Sequence, residues 1–440
     1  MAENPINTML PKEGSKIRIE ELAQNIIDGV AHIRTVFSDK GLPFPSFDED
    51  APQKFPSEAL DSRDLVLDAS AELYDLLLDP INLLLKRGSY NNMVSLQAIS
   101  RFKIADIVPT DGGQISFSSI AEHTGVSEQM IQRLLRQAMT MRVFREPEPG
   151  FVAHTQASKI LTDPSTAHWL ASGAEDMWPA AVKMVDAIQK WGDSQEPNHT
   201  ASKSSIDPAA GFALAHNTTG SIYDFVASNP ERAARFSGCM NALTSSDDYD
   251  LTYALDHYEW ASLGHAQVVD LGGARGHVSI ALAKQFPNLT FMVQDMEQVV
   301  EGAGADLPAD LKTRVQFMAH DLFKPQTVIA DVYYMRWILH NWSNKYCALI
   351  LKAQIPVLKP GARILIQEFC MLKPREAPLW KEQDARAMDL NMGATFNAME
   401  RTVEDWKAIF KDADPRFVLK SVTQPRGSAL AMIDVRWKAD

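Results

Sequence analysis

Acidic side chains and one histidine follow the ends of apolar segments in the C-terminal half of the chain. His340 lies in the segment 336–342, and the acids Asp270, Asp295, Asp321 and Glu368 each stand at or just after the end of an apolar run. Carboxylates accept hydrogen bonds from hydroxyl and ammonium groups, and a neutral histidine accepts a proton. This set therefore indicates a nucleoside-type cofactor held beside a histidine base.

A glycine-rich turn follows the first of these apolar runs. It comprises residues 272–276 and leads into a helix predicted from Val278 to Gln285. Glycines allow a tight turn, and the start of a helix offers free N–H groups to an anionic group. Asp295 follows Gly276 by 19 residues (295 minus 276), close to the ~20 expected for a carboxylate that binds ribose hydroxyls. The alternative is a strand–helix turn that binds no ligand.

Strand-like and helical segments alternate from Ala266 onwards. This alternation predicts an α/β domain whose parallel or mixed sheet is covered on both faces, with ligands at the carboxyl ends of the strands. The predicted strands are Gln267–Leu271, Leu289–Gln294, Val315–Ala319, Ala330–Met335, Arg363–Glu368, Arg416–Val422 and Leu430–Val435.

The N-terminal part of the chain reads as mainly helical. Residues 16–38 and 57–85 carry apolar stripes with helical spacing, and residues 95–155 have a winged-helix pattern of three short helices and a small hairpin. We expect four parts: a helical segment (1–90), a winged helix (91–165), a helical linker or substrate cap (166–262) with a loop at 192–208, and a cofactor-binding domain (263–440). A winged helix raises the possibility of DNA binding.

Composition narrows the function further. The net charge of −13 disfavours nucleic-acid and membrane-surface partners. Cys239, Cys347 and Cys370 are scattered without metal-ligand spacing, so no metal ion is expected. No signal-peptide core or membrane-length apolar run is visible. We expect a cytoplasmic enzyme acting on a small molecule, with pairing of the N-terminal helices in a homodimer.

The segment 336–343 carries a specific resemblance. Arg-Trp-Ile-Leu-His-Asn-Trp-Ser is similar to Lys-Trp-Ile-x-His-Asp-Trp-Ser of the metal-independent, S-adenosylmethionine-dependent O-methyltransferases of the plant caffeate/flavonoid type, and the likeness extends to their fungal secondary-metabolism branch. It covers roughly residues 90–437. The resemblance implies a Rossmann-like class I methyltransferase domain, an N-terminal winged-helix dimerisation domain, and methyl transfer to a phenolic or enolic hydroxyl of a secondary metabolite.

The resemblance also implies roles for individual residues. His340 corresponds to the base, and Glu368 and Glu400 to the acids that flank and orient it. Phe236, Met240 and Asn341 correspond to positions that contact the acceptor. The positions that correspond to cofactor-binding residues are Asp270, Gly272, Gly273, Asp295, Met296, Asp321, Leu322, Phe323, Arg336 and Trp342.

Other interpretations of these residues stay open. His340 can be a buried structural histidine, Glu368 a surface strand end, and Glu400 a helix-start charge, since Thr402 can cap the next helix. Ala274 replaces a glycine of the family's turn, with Arg275 after it. Arg336 replaces a lysine and Asn341 an aspartate. These departures keep an alternative in view: a pericyclase or dehydratase on the same fold that binds the cofactor without consuming it.

Overall fold

The computed structural model describes residues 17–52, 54–196, 210–220, 222–305, 307–374 and 376–438. They group into two compact units. The first contains the described residues up to Asp163 together with those of Pro374–Asp384, and the second contains those of Pro164–Lys373 and from Ala385 onwards. The predicted boundaries at 90/91, 165/166 and 262/263 stay predictions.

The first unit is mainly helical. A proline begins α3, where Asp79 caps the helix by accepting from the N–H groups of Ile81 and Asn82; a proline at the first helical position loses no hydrogen bond. The helices are α1 (Arg18–Asp39), α2 (Leu60–Leu76), α3 (Pro80–Arg87), α4 (Asn91–Arg101), α5 (Ile104–Ile107), α6 (Phe117–Thr124), α7 (Glu128–Thr140) and α8 (Gln156–Lys159).

Helices α4 to α7 and a small sheet form the winged-helix pattern expected from the sequence. β1 (Ile115–Ser116) pairs antiparallel with β2 (Phe151–Val152), and Arg145 bridges to Ala153. Gly125 ends α6 with a φ of 69°, the left-handed backbone that favours glycine. The side chain of Ser127 makes no capping hydrogen bond at the start of α7.

The second unit begins with a helical region. A π-helical turn, Gly173–Met177, lies between its first two helices. The predicted loop 192–208 is irregular up to Glu196, and its remainder lies outside the described residues. The helices are α9 (Pro164–Ser172), α10 (Trp178–Val182), α11 (Met184–Trp191), α12 (Gly211–His216), α13 (Ile222–Ala227), α14 (Pro230–Thr244) and α15 (Thr252–Asp256).

A mixed sheet follows. Its strands are β3 (Ala266–Leu271), β4 (Leu289–Asp295), β5 (Val315–Ala319), β6 (Val332–Arg336), β7 (Arg363–Glu368), β10 (Phe417–Thr423) and β11 (Ala431–Trp437). Their order in the sheet is β10–β11–β7–β6–β3–β4–β5. β3 pairs parallel with β4 and β6, whereas β11 runs antiparallel to β7 and β10. A short parallel pair, β8 (Cys370–Met371) and β9 (Arg401–Thr402), lies outside this sheet.

Helices cover both faces of the mixed sheet. Successive strand residues point to opposite faces, so Val269 and Leu271 pack with one apolar cluster and Val268 with another. The first cluster includes residues of α18 (Asn344–Gln354) and α20 (Val403–Ala413), and the second includes residues of α16 (His277–Gln285). The remaining helices of this part are α17 (Glu297–Val300) and α19 (Leu379–Phe396).

The predicted α/β class is confirmed. The observed strands differ from the predicted ones by at most two residues at either end, and the sheet is of the mixed kind. None of the described helices combines the length and the apolar character needed to cross a membrane.

Candidate active site

The glycine-rich turn packs tightly at the carboxyl end of β3. The N–H groups of Gly272 and Gly273 donate to the carbonyl oxygen of Gln294, at 2.7 and 3.3 Å. A Cβ atom added to Gly273 would lie 2.6 Å from the carboxyl carbon of Asp270, so only glycine fits there. Ala274 adopts a φ of 50°, a left-handed conformation that glycine enters more easily.

Two buried or half-buried acids flank this turn. Asp270 accepts a hydrogen bond from Ser279 Oγ at 2.6 Å, and burial raises the pKa of Asp270 to about 6. Asp295 accepts from the backbone N–H of Ala274 at 2.9 Å and of Met296 at 2.8 Å. Burial raises the pKa of Asp295 while these two N–H groups lower it. The turn therefore fixes the orientation of the Asp295 carboxylate.

Beyond Asp295, aromatic rings gather near the end of β5. Asp321 accepts from the N–H of Phe323 at 2.9 Å. The Phe323 ring meets that of Trp342 edge-on, with centroids 4.7 Å apart, and Trp342 stacks on Tyr346 at 5.8 Å. Leu322 is half-buried beside this cluster, whereas Met296 is exposed.

Arg336, at the end of β6, makes its hydrogen bonds to neighbouring protein groups. Its Nη1 donates to Gln367 Oε1 at 3.3 Å, and its Nη2 donates to the carbonyl oxygen of Tyr249 at 2.7 Å. Its charge also lowers the pKa of Asp270, against the larger effect of burial. Arg336, which replaces a lysine of the similar family, therefore lies close enough to the glycine-rich turn for its charge to act on Asp270.

His340 lies in a short 3-10 turn, Leu339–Asn341, between β6 and α18. Its Nδ1 lies 2.9 Å from Oε1 of Glu400. Burial lowers the pKa of His340, but the hydrogen bond to Glu400 and the charges of Glu400 and Glu368 outweigh it, so the pKa lies above its usual value. The carboxylate favours a proton on Nδ1, which leaves the lone pair of Nε2 to accept a proton from another group.

Glu368 acts on the same turn differently from Glu400. Its Oε1 accepts from the backbone N–H groups of Ile338 at 2.8 Å and Leu339 at 2.5 Å. Its Oε2 is buried without a hydrogen-bond partner in the described part of the chain. Both acids that were predicted to flank His340 therefore lie at its turn. Glu400 forms its hydrogen bond with the imidazole ring, whereas Glu368 accepts hydrogen bonds from the backbone of the turn.

The predicted acceptor residues lie in two places within the second unit. Phe236, on α14, packs with a cluster that includes Phe396 and has its ring centroid 6.1 Å from that of Tyr223. Met240 is half-buried one turn further along the same helix. Asn341 follows His340, and its Nδ2 donates to the carbonyl oxygen of Trp337 at 3.0 Å.

Sequence reasoning missed several residues that support this site. Asp389 accepts from the N–H of Glu400 at 2.8 Å, and Arg401 donates to carbonyl groups of the His340 turn. Gln195 and Glu196 bond to the first turn of α18, about 150 positions away in the chain. Arg401 had one visible signal, since it directly follows Glu400, whereas nothing in the sequence links the other residues to the site.

The residues fit an S-adenosylmethionine-type cofactor. An ionised carboxylate has about four lone-pair positions, so Asp295 can accept from ribose hydroxyls in addition to its two backbone donors. The buried acid Asp270 supplies negative charge suited to an ammonium or sulfonium group. The Phe323–Trp342 cluster offers apolar surface to a flat base.

Comparison with known families gives two matches. A family model described as O-methyltransferase domain matches residues 207–414, and one described as O-methyltransferase dimerisation domain matches residues 87–164. The O-methyltransferase PaMT of Phomopsis amygdali is 45% identical over 426 residues, which cover 96% of this chain and 97% of that protein. The O-methyltransferase pyvH of Aspergillus violaceofuscus is 38% identical, with 96% and 99% of the two chains covered.

Solved structures share the fold at low sequence identity. The structure of LepI in complex with SAM is similar with a TM-score of 0.68 and 20% identity, covering 94% of this chain and all of the other. A structure described as a pericyclic reaction enzyme has a TM-score of 0.68 and 21% identity, with the same coverage. At this identity the likeness concerns the fold alone.

Proposed function

The chain belongs to the O-methyltransferase family, and on that premise we propose that it methylates a phenolic or enolic hydroxyl of a small secondary metabolite, with His340 as the general base. The observation that carries the proposal is the pair formed by His340 Nδ1 and Glu400 Oε1, 2.9 Å apart. The pair leaves Nε2 of a neutral imidazole to take the acceptor's proton.

S-adenosylmethionine would supply an electrophilic methyl group: the acceptor oxygen would bond to the methyl carbon as the carbon–sulfur bond breaks, with S-adenosylhomocysteine as the leaving group. A phenol has a pKa of about 10, so it is mostly protonated and a poor nucleophile at neutral pH. His340 accepts the phenolic proton at Nε2 as the oxygen attacks, and the Glu400 carboxylate stabilises the resulting imidazolium. Glu368 holds the backbone of the turn and so keeps the ring at a fixed height above the sheet.

We assign the cofactor to the carboxyl ends of β3, β4 and β5. Asp295 binds the ribose hydroxyls, and the glycine-rich turn with Asp270 faces the methionine part. Support comes from the backbone donors that fix the Asp295 carboxylate and from the steric fit of Gly273 against Asp270. The adenine lies among Met296, Leu322, Phe323 and Trp342, next to Asp321, with Arg336 close to the cofactor.

The acceptor binds against Phe236 and Met240, with Asn341 at its edge. The cluster around Phe236 is apolar and includes Phe396 and Met392, and such linings suit a flat, uncharged ring. This composition supports an aromatic or polyketide-like acceptor.

We propose a homodimer as the working form. The support is the match to the dimerisation domain over residues 87–164. The expected cytoplasmic location stays a prediction, which fractionation of cells that produce the protein would test.

Methyl transfer is tested with S-adenosylmethionine labelled in its methyl group and a panel of phenols. We expect labelled product with the wild type and a ~10²–10⁴-fold lower kcat with His340→Ala, while calorimetric cofactor affinity stays the same. His265→Ala is the matched control, because His265 is exposed and lies outside the site. Product formed without demethylated cofactor would contradict methyl transfer and support a pericyclase or dehydratase instead.

A further inference from the structure

Arg401 is fully buried and directly follows Glu400 in the chain. Its Nη1 donates to the carbonyl oxygen of Leu339 at 3.0 Å, and its Nη2 donates to that of Trp342 at 2.5 Å. Its Nε donates to Asn344 Oδ1 at 3.0 Å. Leu339 and Trp342 stand on either side of His340, so the guanidinium bonds the turn just before and just after the base.

Burial of a guanidinium is costly unless its donors are satisfied. Within the described part of the chain, no carboxylate oxygen lies within 4.0 Å of the Arg401 guanidinium nitrogens. Its partners are carbonyl and amide oxygens, and its remaining contact is with the Trp406 ring, 5.5 Å from the guanidinium carbon. An apolar side chain would fill this core position with a smaller desolvation cost. The hydrogen bonds to the His340 turn therefore explain the presence of an arginine better than packing does.

The turn is held from two directions. Glu368, on β7, accepts hydrogen bonds from the N–H groups of Ile338 and Leu339. Arg401, on β9, donates hydrogen bonds to the carbonyl oxygens of Leu339 and Trp342. Trp337, just before the turn, has a φ of 56°, a strained conformation for a bulky residue that persists only where surrounding contacts enforce it. The two side chains supply such contacts.

Charge supports the same conclusion. The charged groups that act on His340 are Glu400, Glu368 and Arg401. The two glutamates raise the pKa of His340, and the Arg401 cation lowers it. Asp389 bonds the backbone of Glu400 from α19. Arg401 therefore moderates the effect of the two acids on the base.

We propose that Arg401 is a positioning residue that holds the turn of His340 at the distance and in the orientation at which the ring accepts the acceptor's proton. The proposal rests on the proposed function of His340 and adds to it a group that touches neither substrate nor cofactor. It predicts that loss of the guanidinium impairs the chemical step while cofactor binding is kept.

The test compares Arg401→Gln and Arg401→Lys with the wild type. We expect Arg401→Gln to lower kcat by about 10- to 100-fold, since small displacements of catalytic groups have effects of this size. The KM for S-adenosylmethionine should change less than about threefold. The acidic limb of the kcat–pH profile should move to higher pH, because a cation that lowers the pKa of His340 is gone. Arg401→Lys should restore the limb but only part of kcat, since an ammonium cannot reproduce the fork of donors.

Arg416→Gln is the matched control. Arg416 also lies over an indole ring, that of Trp437 at 4.4 Å, and its Nε and Nη2 donate to Asp414. We expect this variant to keep the wild-type kcat and pH profile. A fall in kcat in Arg401→Gln that only matches the loss of folded protein, with the pH limb unmoved, would overturn the proposal.

Histidine ¹⁵N NMR gives a readout that does not need turnover. The His340 ring should titrate at higher pH in Arg401→Gln and near its wild-type pH in Arg401→Lys. If the wild type transferred no methyl group, the proposed function would fail while this titration still tested Arg401. An unchanged titration in Arg401→Gln, with an unchanged ring environment in both variants, would contradict the positioning role. If the glutamine variant does not fold, kcat of Arg401→Lys decides: a lower kcat with the wild-type titration supports the role, and a wild-type kcat contradicts it.

Discussion

At the scale of single residues, the two acids next to His340, the proposed base, differ in the groups with which they form hydrogen bonds. Glu400 meets the ring of His340, whereas Glu368 meets the backbone that carries it. The first contact acts on the protonation of the base, and the second acts on its position. Both side chains are buried, and burial raises the pKa of Glu368 against the opposing charges of His340 and Arg401.

Glu400→Gln should move the acidic limb of the kcat–pH profile to lower pH. The Glu400 carboxylate raises the pKa of His340, so its removal lowers that pKa, and the ring is then neutral and competent as a base at lower pH. The plateau of kcat should nevertheless fall roughly 10- to 100-fold, because the imidazolium loses its carboxylate partner. Measurement of kcat from pH 5 to pH 9 tests both effects.

Glu404→Gln provides the control for this substitution. Glu404 lies in the first turn of α20 with a mostly exposed side chain that pairs with Lys373. Glu404→Gln should leave the kcat–pH profile unchanged. A limb that moves to higher pH in Glu400→Gln would contradict the assignment of Glu400 as the partner of the base.

At the scale of elements, the strand–turn–helix unit of β3 and α16 accommodates its departure from the family pattern. Ala274 has a φ of 50°, in the left-handed region that glycine enters more easily, and its N–H group donates to Asp295. Its side chain is exposed, so the methyl group displaces nothing. Gly273, by contrast, has the Asp270 carboxyl and Val293 within 3 Å of where a Cβ would stand.

Gly273→Ala and Ala274→Gly should therefore have different effects. We expect Gly273→Ala to weaken cofactor affinity at least tenfold and to lower the melting temperature, because the added methyl group overpacks a buried acid. Ala274→Gly should change both values little: relief of the left-handed backbone, worth roughly 1–2 kcal/mol, is largely offset by the ~0.5–1 kcal/mol that glycine's flexibility costs. Calorimetry with S-adenosylmethionine and thermal unfolding measure the two effects, and equal losses would contradict the packing argument.

The sequence predicted elements better than contacts. Apolar periodicity was enough to predict the sheet and its class, and the 336–343 motif identified the family that the comparisons confirm. The bond from Glu368 to backbone N–H groups could not be predicted, because a motif gives residue types but not side-chain directions. Gln195 and Glu196 could not be linked to α18, because they lie in an irregular segment about 150 residues from that helix in the chain.

At the scale of the whole molecule, the first unit carries an apolar surface on a short helix. Ile81, Leu84 and Leu85 of α3 have 66%, 69% and 67% of their surface exposed. Their spacing places them on one side of the helix. Exposure of clustered apolar groups to water is unfavourable in free energy, and such a surface often marks an interaction site. The adjoining dimerisation domain indicates that the partner is a second copy of the chain.

Leu84→Asp with Leu85→Asp should shift the chain from dimer to monomer. Two carboxylates buried without partners in a shared apolar surface disfavour association by several kcal/mol. Light scattering after size-exclusion chromatography, over a range of protein concentrations, measures the mass. The control is Lys86→Asp, which changes charge on the same helix without replacing an apolar side chain, and a double variant that stays dimeric would exclude this surface from the interface.

The first unit is built from two stretches that are far apart in the chain, which has a consequence during synthesis on the ribosome. Residues 374–384 belong to that unit, where the N–H of Leu379 donates to Asp68 Oδ1 at 2.9 Å and Lys381 pairs with Asp64. The nascent chain must therefore grow by roughly 220 residues after Asp163 before the unit's last segment exists. At ~5–20 residues per second this delay lasts roughly 10 to 45 s. During that time the surface of α2 that receives the segment is exposed to solvent, and Asp64 and Asp68 lack these two partners.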